Sequence, residues 1–175
     1  ADRTGPDGMM PVPHAGRGSG LEALLDLAHR LYRTRDLAWV EHNGIAGTWR
    51  GRGTGRKPVF TPVSRRAAPD YYGCFRGRFL AFDAKEVRGR TAWRLDKRYA
   101  HQLERLQAIA AARGIAWFAV ERVGAGELWL LRIWPGSDWP AVDFREPETA
   151  DTLRLPVGPE GWYDWLAAIQ TAWLV

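Results

Sequence analysis

Asp70, Asp83 and Lys85 fall within one short stretch, Asp70-Tyr71-Tyr72-Gly73-Cys74-Phe75-Arg76-Gly77-Arg78-Phe79-Leu80-Ala81-Phe82-Asp83-Ala84-Lys85-Glu86. Tyr72 to Phe75 and Phe79 to Phe82 are apolar, aromatic-rich runs. Arg76-Gly77-Arg78 between them reads as a tight turn. A hairpin folds its two ends together, so Asp70 and Asp83 can face each other across the pair. Lys85 lies two residues beyond Asp83, so both side chains leave the strand on one face. Two carboxylates that close suit a hard cation such as Mg²⁺ or Mn²⁺, and the backbone carbonyl of Ala84 is a third oxygen ligand of the same kind. A lysine beside them can orient a water or neutralise developing charge. Metal-assisted phosphodiester hydrolysis uses this set. An acid, any residue and a lysine also recur widely, and a strand-end ion pair accounts for the triplet as well.

The elements that must hold this hairpin follow from periodicity. Ser19-Gly20-Leu21-Glu22 reads as a capping box, a hydroxyl N-cap with Glu three residues on. It opens a helix to about Arg35 with Leu21, Leu24, Leu25, Ala28, Leu31 and Tyr32 on its apolar stripe. Glu22 has two readings, the helix cap or a carboxylate aimed at the sheet. Leu37 to Val40 reads as a short buried strand. Tyr99 to Arg113 has a regular helical pattern, with Gln102 in its first turn and Gly114 as the stop signal. Ile115 to Val120 is a continuous apolar run, read as a buried central strand. Glu127 to Trp134 pairs with it across Gly124-Ala125-Gly126. Residues 138–159 read as irregular, and Gly161 to Val175 as a closing helix that places Trp162, Trp165 and Trp173 in the core or on a dimer surface. The order predicts one α/β sandwich: a central mixed β-sheet flanked by helices.

The 175 residues suit a single domain with a sizeable core, and 46% apolar content with 10 Trp argues for a folded chain. No run of 18 apolar residues is present, and residues 1–20 lack the apolar region of a secretory signal. Residues 1–18 read as a flexible tail, with the folded domain over 19–175. The single cysteine, Cys74, excludes an intrachain disulfide framework; in its apolar strand it reads as a buried, inert thiol in a reducing, cytoplasmic compartment.

The net charge is +5, and its distribution is informative. No acid lies between Glu41 and Asp70, while Arg50, Arg52, Arg56, Lys57, Arg65 and Arg66 all do. A second basic group, with Arg88, Arg90, Arg94, Lys97 and Arg98, follows the hairpin. Basic groups on both sides of an acid–lysine pocket point to nucleic acid. The segment from Asn43 to Pro69 is long for an unstructured loop. Its Arg50-Gly51-Arg52 and Val59-Phe60 can pair as a protruding ribbon.

The chain resembles the bacterial and phage Holliday-junction resolvases of the RecU type, within the PD-(D/E)XK nuclease superfamily. The resemblance rests on Pro69-Asp70-Tyr71-Tyr72-Gly73, Gly77-Arg78-Phe79, Phe82-Asp83-Ala84-Lys85-Glu86 and His101-Gln102. Gly114 to Phe118 and Gly20-Leu21-Glu22 extend it over roughly residues 16 to 135. It implies a restriction-endonuclease-like core and an enzyme acting on four-way DNA junctions as a homodimer, inside a bacterial cell or encoded by a phage. It implies that Asp70, Asp83 and the Ala84 carbonyl hold Mg²⁺ or Mn²⁺. Gln102 would join that shell, Lys85 would stabilise the transition state, and Glu22 would be the helix carboxylate facing the site. It makes residues 43–68 a basic DNA-binding stalk. Two departures stand out: Asp83 occupies a position where the family carries Glu, and Ala68 one where it often carries a metal-associated Thr. Alternative readings are a superfamily nuclease acting on ordinary or damaged duplex DNA, and a protein that holds junctions without cutting them.

Overall fold

The computed structural model describes residues 19–43, 47–50, 59–62 and 68–174, without the side chains of Ser19, 47–50 and 59–62. The first helix, α1 (Ser19–Thr34), buries Leu21, Leu25, Ala28 and Tyr32 at the predicted helical spacing. After it come β1 (Trp39–His42) and the paired ribbon β2 (Gly47–Arg50) and β3 (Val59–Pro62), in which Arg50 pairs with Val59; Gly51 and Arg52 of the ribbon the sequence suggests lie outside the described residues. The predicted hairpin is β4 (Tyr71–Phe75) with β5 (Arg78–Arg88). Its loop is two residues, Arg76 (φ 49°) and Gly77 (φ 74°). Two left-handed positions in succession make a turn whose twist matches the strands it joins.

β5 runs six residues past the predicted end at Phe82 and is followed by β6 (Ala92–Arg94) and α2 (Ala100–Ala111). α2 stops where Arg113 turns left-handed (φ 65°) and the Gly114 amide donates back to the Ile109 carbonyl at 2.9 Å. It crosses the sheet so that β7 (Ile115–Val123) returns parallel to β5, with Asp83 beside Phe118 and Lys85 beside Val120. β8 (Glu127–Arg132) pairs antiparallel with β7. The six-stranded sheet has the order β1-β4-β5-β7-β8-β10, where β10 is Thr152–Pro156. β9 (Ala141–Asp143) pairs with β6. The last helix is α3 (Trp165–Trp173). The architecture is the predicted one, a mixed sheet flanked by helices.

Each face of the sheet has its own core. Leu25 and Tyr32 of α1 and Trp165 and Ile169 of α3 pack on Phe82 and Trp117; Leu103 and Leu106 of α2 pack on Ala81 and Phe118. β7 is buried on both faces, which is why it reads as an unbroken apolar run. His29 is buried edge-on against Tyr71, Phe82 and Trp165, and burial drives its pKa down to about 3, leaving a neutral core imidazole.

Several expectations are corrected. The first strand is Trp39–His42, two residues later than predicted, and alternates instead of being buried: Val40 faces the core, while Leu37 and Trp39 are exposed. Cys74 is exposed, not buried. It lies between Trp39 and Phe79 in register on the α2-side face of the β1 edge, and those flanking residues are exposed too. Residues 138–159 are not all irregular, since β9 and β10 fall there; their strand pairing is with distant partners and leaves little local pattern. α3 starts at Trp165 instead of Gly161, because Gly161 is left-handed (φ 80°) and the Asp164 carboxylate caps the Ala167 amide at 3.3 Å. Trp162, Trp165 and Trp173 are buried as predicted.

Gly73 sits where β1 passes closest to β4, and a Cβ there would collide with the Trp39 carbonyl. Gly73→Ala is expected to destabilise the fold by about 2 kcal/mol, because two paired backbones must separate. Urea unfolding measures this, and an unchanged midpoint would show that β1 yields freely.

Candidate active site

The hairpin register decides the site. Tyr71 pairs with Phe82, which sets Asp70, one residue earlier, opposite Asp83. The Ala84 amide donates to Asp70 Oδ2 at 3.0 Å and fixes the aspartate that precedes β4. Lys85 Nζ lies 3.5 Å from Asp70 Oδ2 and 3.6 Å from Asp83 Oδ1, a three-group cluster as the spacing predicts. The ammonium also sits 5.7 Å from the centre of the Tyr99 ring. Asp83 is 1% exposed, whereas Asp70 is 39% exposed and opens the cluster to solvent.

Asp83 is the tense member. Burial, then the nearby Asp70 carboxylate, pushes its pKa up to about 7, against the opposing pull of Lys85. Its Oδ1 is buried and, among the described residues, beyond hydrogen-bond reach of any protein donor, with the Lys85 ammonium 3.6 Å away as its ion-pair partner. Gln102, in the first turn of α2 over this sheet face, likewise has its Oε1 buried and unpartnered. Unsatisfied buried oxygens are rare in folded proteins and call for an explanation. A hard cation provides one: Asp70, Asp83, Gln102 and the Ala84 carbonyl are all oxygen donors of the type Mg²⁺ and Mn²⁺ accept. Among the described residues no group of three His, Cys, Asp or Glu side chains converges, so such an ion would rest on two carboxylates completed by neutral oxygens.

The other predicted residues fall elsewhere. Glu22 is exposed on α1, which packs on the opposite face of the sheet from Lys85. With Asp26 and Asp70 it adds to the burial that holds the Tyr71 hydroxyl above its ordinary pKa, so it reaches the neighbourhood of that ring. Among the described residues no hydrogen bond or ion pair joins Glu22 to Asp70, Asp83 or Lys85. Arg88 and Arg90 are exposed, and Arg88 Nη2 lies 3.4 Å from Glu86 Oε2. Arg50 is described in its backbone alone. Arg52, Arg56, Lys57, Arg65 and Arg66 lie outside the described residues.

The sequence reading missed Glu86 and Tyr99. Glu86 alternates to the face opposite Lys85, where its Oε1 accepts the Leu21 amide at 3.2 Å. The strand that carries Asp83 and Lys85 therefore also caps α1. Period-two alternation after Lys85 was the available signal; the identity of the helix it meets is a tertiary fact.

Comparison with known proteins places the chain in a family. A family model described as RecU, Recombination protein U, matches residues 16–139. The chain belongs to that family. Among curated members, the Holliday junction resolvase RecU of Staphylococcus saprophyticus is 24% identical over 127 residues, 69% of this chain and 60% of that protein. The RecU proteins of Bacillus thuringiensis and Bacillus cereus are 26% identical over 125 residues, 67% of this chain and 61% of theirs. The chain thus spans about three-fifths of the length of the curated RecU relatives it matches. The solved Holliday junction resolvase Hjc of Archaeoglobus fulgidus aligns over 86% of this chain and 94% of its own, at 15% identity and a TM-score of 0.37.

An acid whose pKa is raised on folding binds its proton in the native state first, so it lowers stability as pH rises from about 4 to about 7. Asp83→Asn removes that penalty. In metal-free protein it is expected to raise stability by on the order of 1–3 kcal/mol above pH 7 and to change little near pH 4. Thermal unfolding in chelator at the two pH values checks this; equal effects at both would show that Asp83 is ionised at no cost in the native protein.

Proposed function

We propose that the chain is a divalent-metal-dependent endodeoxyribonuclease that resolves four-way DNA junctions by paired nicks, acting as a homodimer on recombining chromosomal or phage DNA inside the cell. The observation that carries this is the Asp70–Asp83–Lys85 cluster with its unsatisfied Asp83 and Gln102 oxygens, in a member of the RecU family. Among the described residues no helix is long and apolar enough to cross a membrane.

Asp70, Asp83, Gln102 and the Ala84 carbonyl would hold Mg²⁺ or Mn²⁺. When bound, the ion supplies charge stabilisation at the scissile phosphate and a water of lowered pKa. Lys85 presents its ammonium to the charge that develops on the phosphate, held by two carboxylates and the Tyr99 ring so that little reorganisation is needed. Asp70, the exposed edge of the cluster, would be the first of the three to meet an entering strand. Arg88 and Arg90, with the basic residues 50–66, neutralise the flanking phosphates, so binding falls steeply with salt. Two symmetric nicks require two such sites related by a two-fold axis, which is the role of the homodimer. Glu22, which reaches the neighbourhood of Tyr71 from α1, would be a further carboxylate beside this set.

A junction binder without cutting activity is the second reading. The two-carboxylate set, the hydroxyl-free Ala68 and a carboxylate at Asp83 one carbon–carbon bond shorter than Glu favour it.

An end-labelled synthetic four-way junction with Mg²⁺ or Mn²⁺ separates these readings. Symmetric nicks in opposite strands are expected. Lys85→Ala and Asp70→Ala should cut about 10³-fold more slowly, and Gln102→Ala about 10–100-fold more slowly, with junction affinity retained. Tight junction binding without nicks under either metal would leave the binder. Equal rates on linear duplex would remove junction selectivity.

A further inference from the structure

At the hairpin-turn end of the sheet, β5, the turn between α2 and β7, and β8 each deliver an arginine to one cavity of about 960 Å³. Arg78 opens β5, Arg113 lies in the turn just before β7, and Arg132 ends β8. Ile133 is bonded to Ala116 at 2.8 Å, which brings the end of β8 against the start of β7. Among the described residues none of the three arginines forms an ion pair. The carboxylate felt by Arg132 is Asp151, and that side chain already accepts the Trp134 indole N–H at 2.8 Å.

The cavity is also aromatic. Arg132 stacks on Trp134, its guanidinium carbon 3.6 Å from the ring centre. Trp134 remains 44% exposed and Phe79, at the rim, 48%. Ile115, Ala116 and Ile133 supply apolar lining. Arg78 donates to the Arg113 carbonyl at 3.3 Å and Arg132 to the Trp173 carbonyl at 3.4 Å, so neutral oxygens hold two of the guanidiniums and leave their charges unneutralised. Three cationic groups in one cavity suit an anion, and exposed indole and phenyl rings suit a planar group. Duplex DNA hides its bases; an unpaired strand offers phosphates and base faces together.

A shallower groove continues the path. Phe79 and Ala112 line both depressions, and the groove runs along α2 past Ile109 and Arg105 to His101 and Pro69, the neighbours of Gln102 and Asp70. Glu104 is the carboxylate among its lining residues. Arg78 lies five residues before Asp83 on β5, about 17 Å along the strand, so the cavity is distinct from the candidate cutting site.

We propose that this cavity is a second nucleic-acid site, which takes a short unpaired stretch of DNA with phosphates on Arg78, Arg113 and Arg132 and a base on Trp134. The site is independent of whether the Asp70–Asp83–Lys85 cluster cuts.

The test uses a fluorescent oligothymidylate hexamer carrying one 5-iodouridine, with the full chain in chelator, so that neither metal nor cleavage enters. Irradiation should crosslink the oligomer to the peptide holding Trp134 or Phe79. By anisotropy, Arg78→Ala with Arg113→Gly should weaken binding at least 10-fold. The salt slope should fall by about 1.4, the value for two lost phosphate contacts on a single strand. Trp134→Leu should weaken binding about 10-fold through lost stacking. Arg113 is left-handed, so glycine there suits the backbone, and an unchanged thermal midpoint is expected to show that the double variant folds. Crosslinks mapping only elsewhere, or wild-type affinity in the double variant, would overturn the proposal. So would full retention of affinity in Trp134→Leu, which would leave a bare anion site. A wild-type dimer that the double variant breaks, with hexamer affinity unchanged, would assign the arginines to a subunit interface instead.

Discussion

The hydrogen bond from the Ala84 amide to Asp70 Oδ2 joins the two ends of the β4–β5 hairpin, and the candidate chemistry depends on it. Asp70 precedes its strand and would otherwise sit on a free loop. Tethered to the backbone between Asp83 and Lys85, it stands at the distance where two carboxylates and one ammonium interact. The register behind that bond is fixed by the two-residue turn at Arg76-Gly77. A slip by one residue would send Asp83 and Lys85 to the α1 face of the sheet. The parallel pairing with β7, buried on both faces, keeps β5 in place.

Around that fixed point the site is built under tension. Asp83 is buried where its charge is disfavoured, beside a like charge, and with an oxygen unsatisfied. Lys85 offsets part of this by facing both aspartates. Such an arrangement lowers the stability of the fold and leaves a buried carboxylate oxygen without a hydrogen-bond partner. The core pays for it on the other face, where Phe82 is stacked between Tyr71 and Trp117 and met by Trp165. Glu86 couples the two faces: one residue past Lys85, it crosses to the α1 side and caps that helix. Displacement of β5 is therefore felt at the N-terminus of α1.

The two ends of the sheet carry different chemistry. Oxygen donors gather beside the first turn of α2, whereas arginines gather at its C-terminal end. A groove along α2 runs from the arginine cavity to Pro69 and His101, the chain neighbours of Asp70 and Gln102. Sequence proximity conceals the second group. Arg78, Arg113 and Arg132 are tens of residues apart, each resembling an ordinary surface arginine. Only the strand order β5-β7-β8 makes them neighbours.

Local chemistry was enough to specify the hairpin, the apolar faces of α1 and α2, the buried run of β7 and the facing of Asp70, Asp83 and Lys85. Each depends on alternation, turn geometry or helical spacing among residues close in the chain. The family resemblance of the Asp70 to Gln102 stretch was legible in the same residues. What lay beyond the sequence was every pairing between distant segments. β10 joins β8 across a stretch with little apolar pattern, and Cys74 is exposed because, among the described residues, no element covers its face of the β1 edge. Glu86 of β5, distant in sequence, accepts the Leu21 amide of α1. The unsatisfied state of Asp83 and Gln102 also belongs to tertiary structure. Burial and lost hydrogen bonds depend on what packs above a residue, and α2 reaches the Asp83 face only when the sheet is assembled.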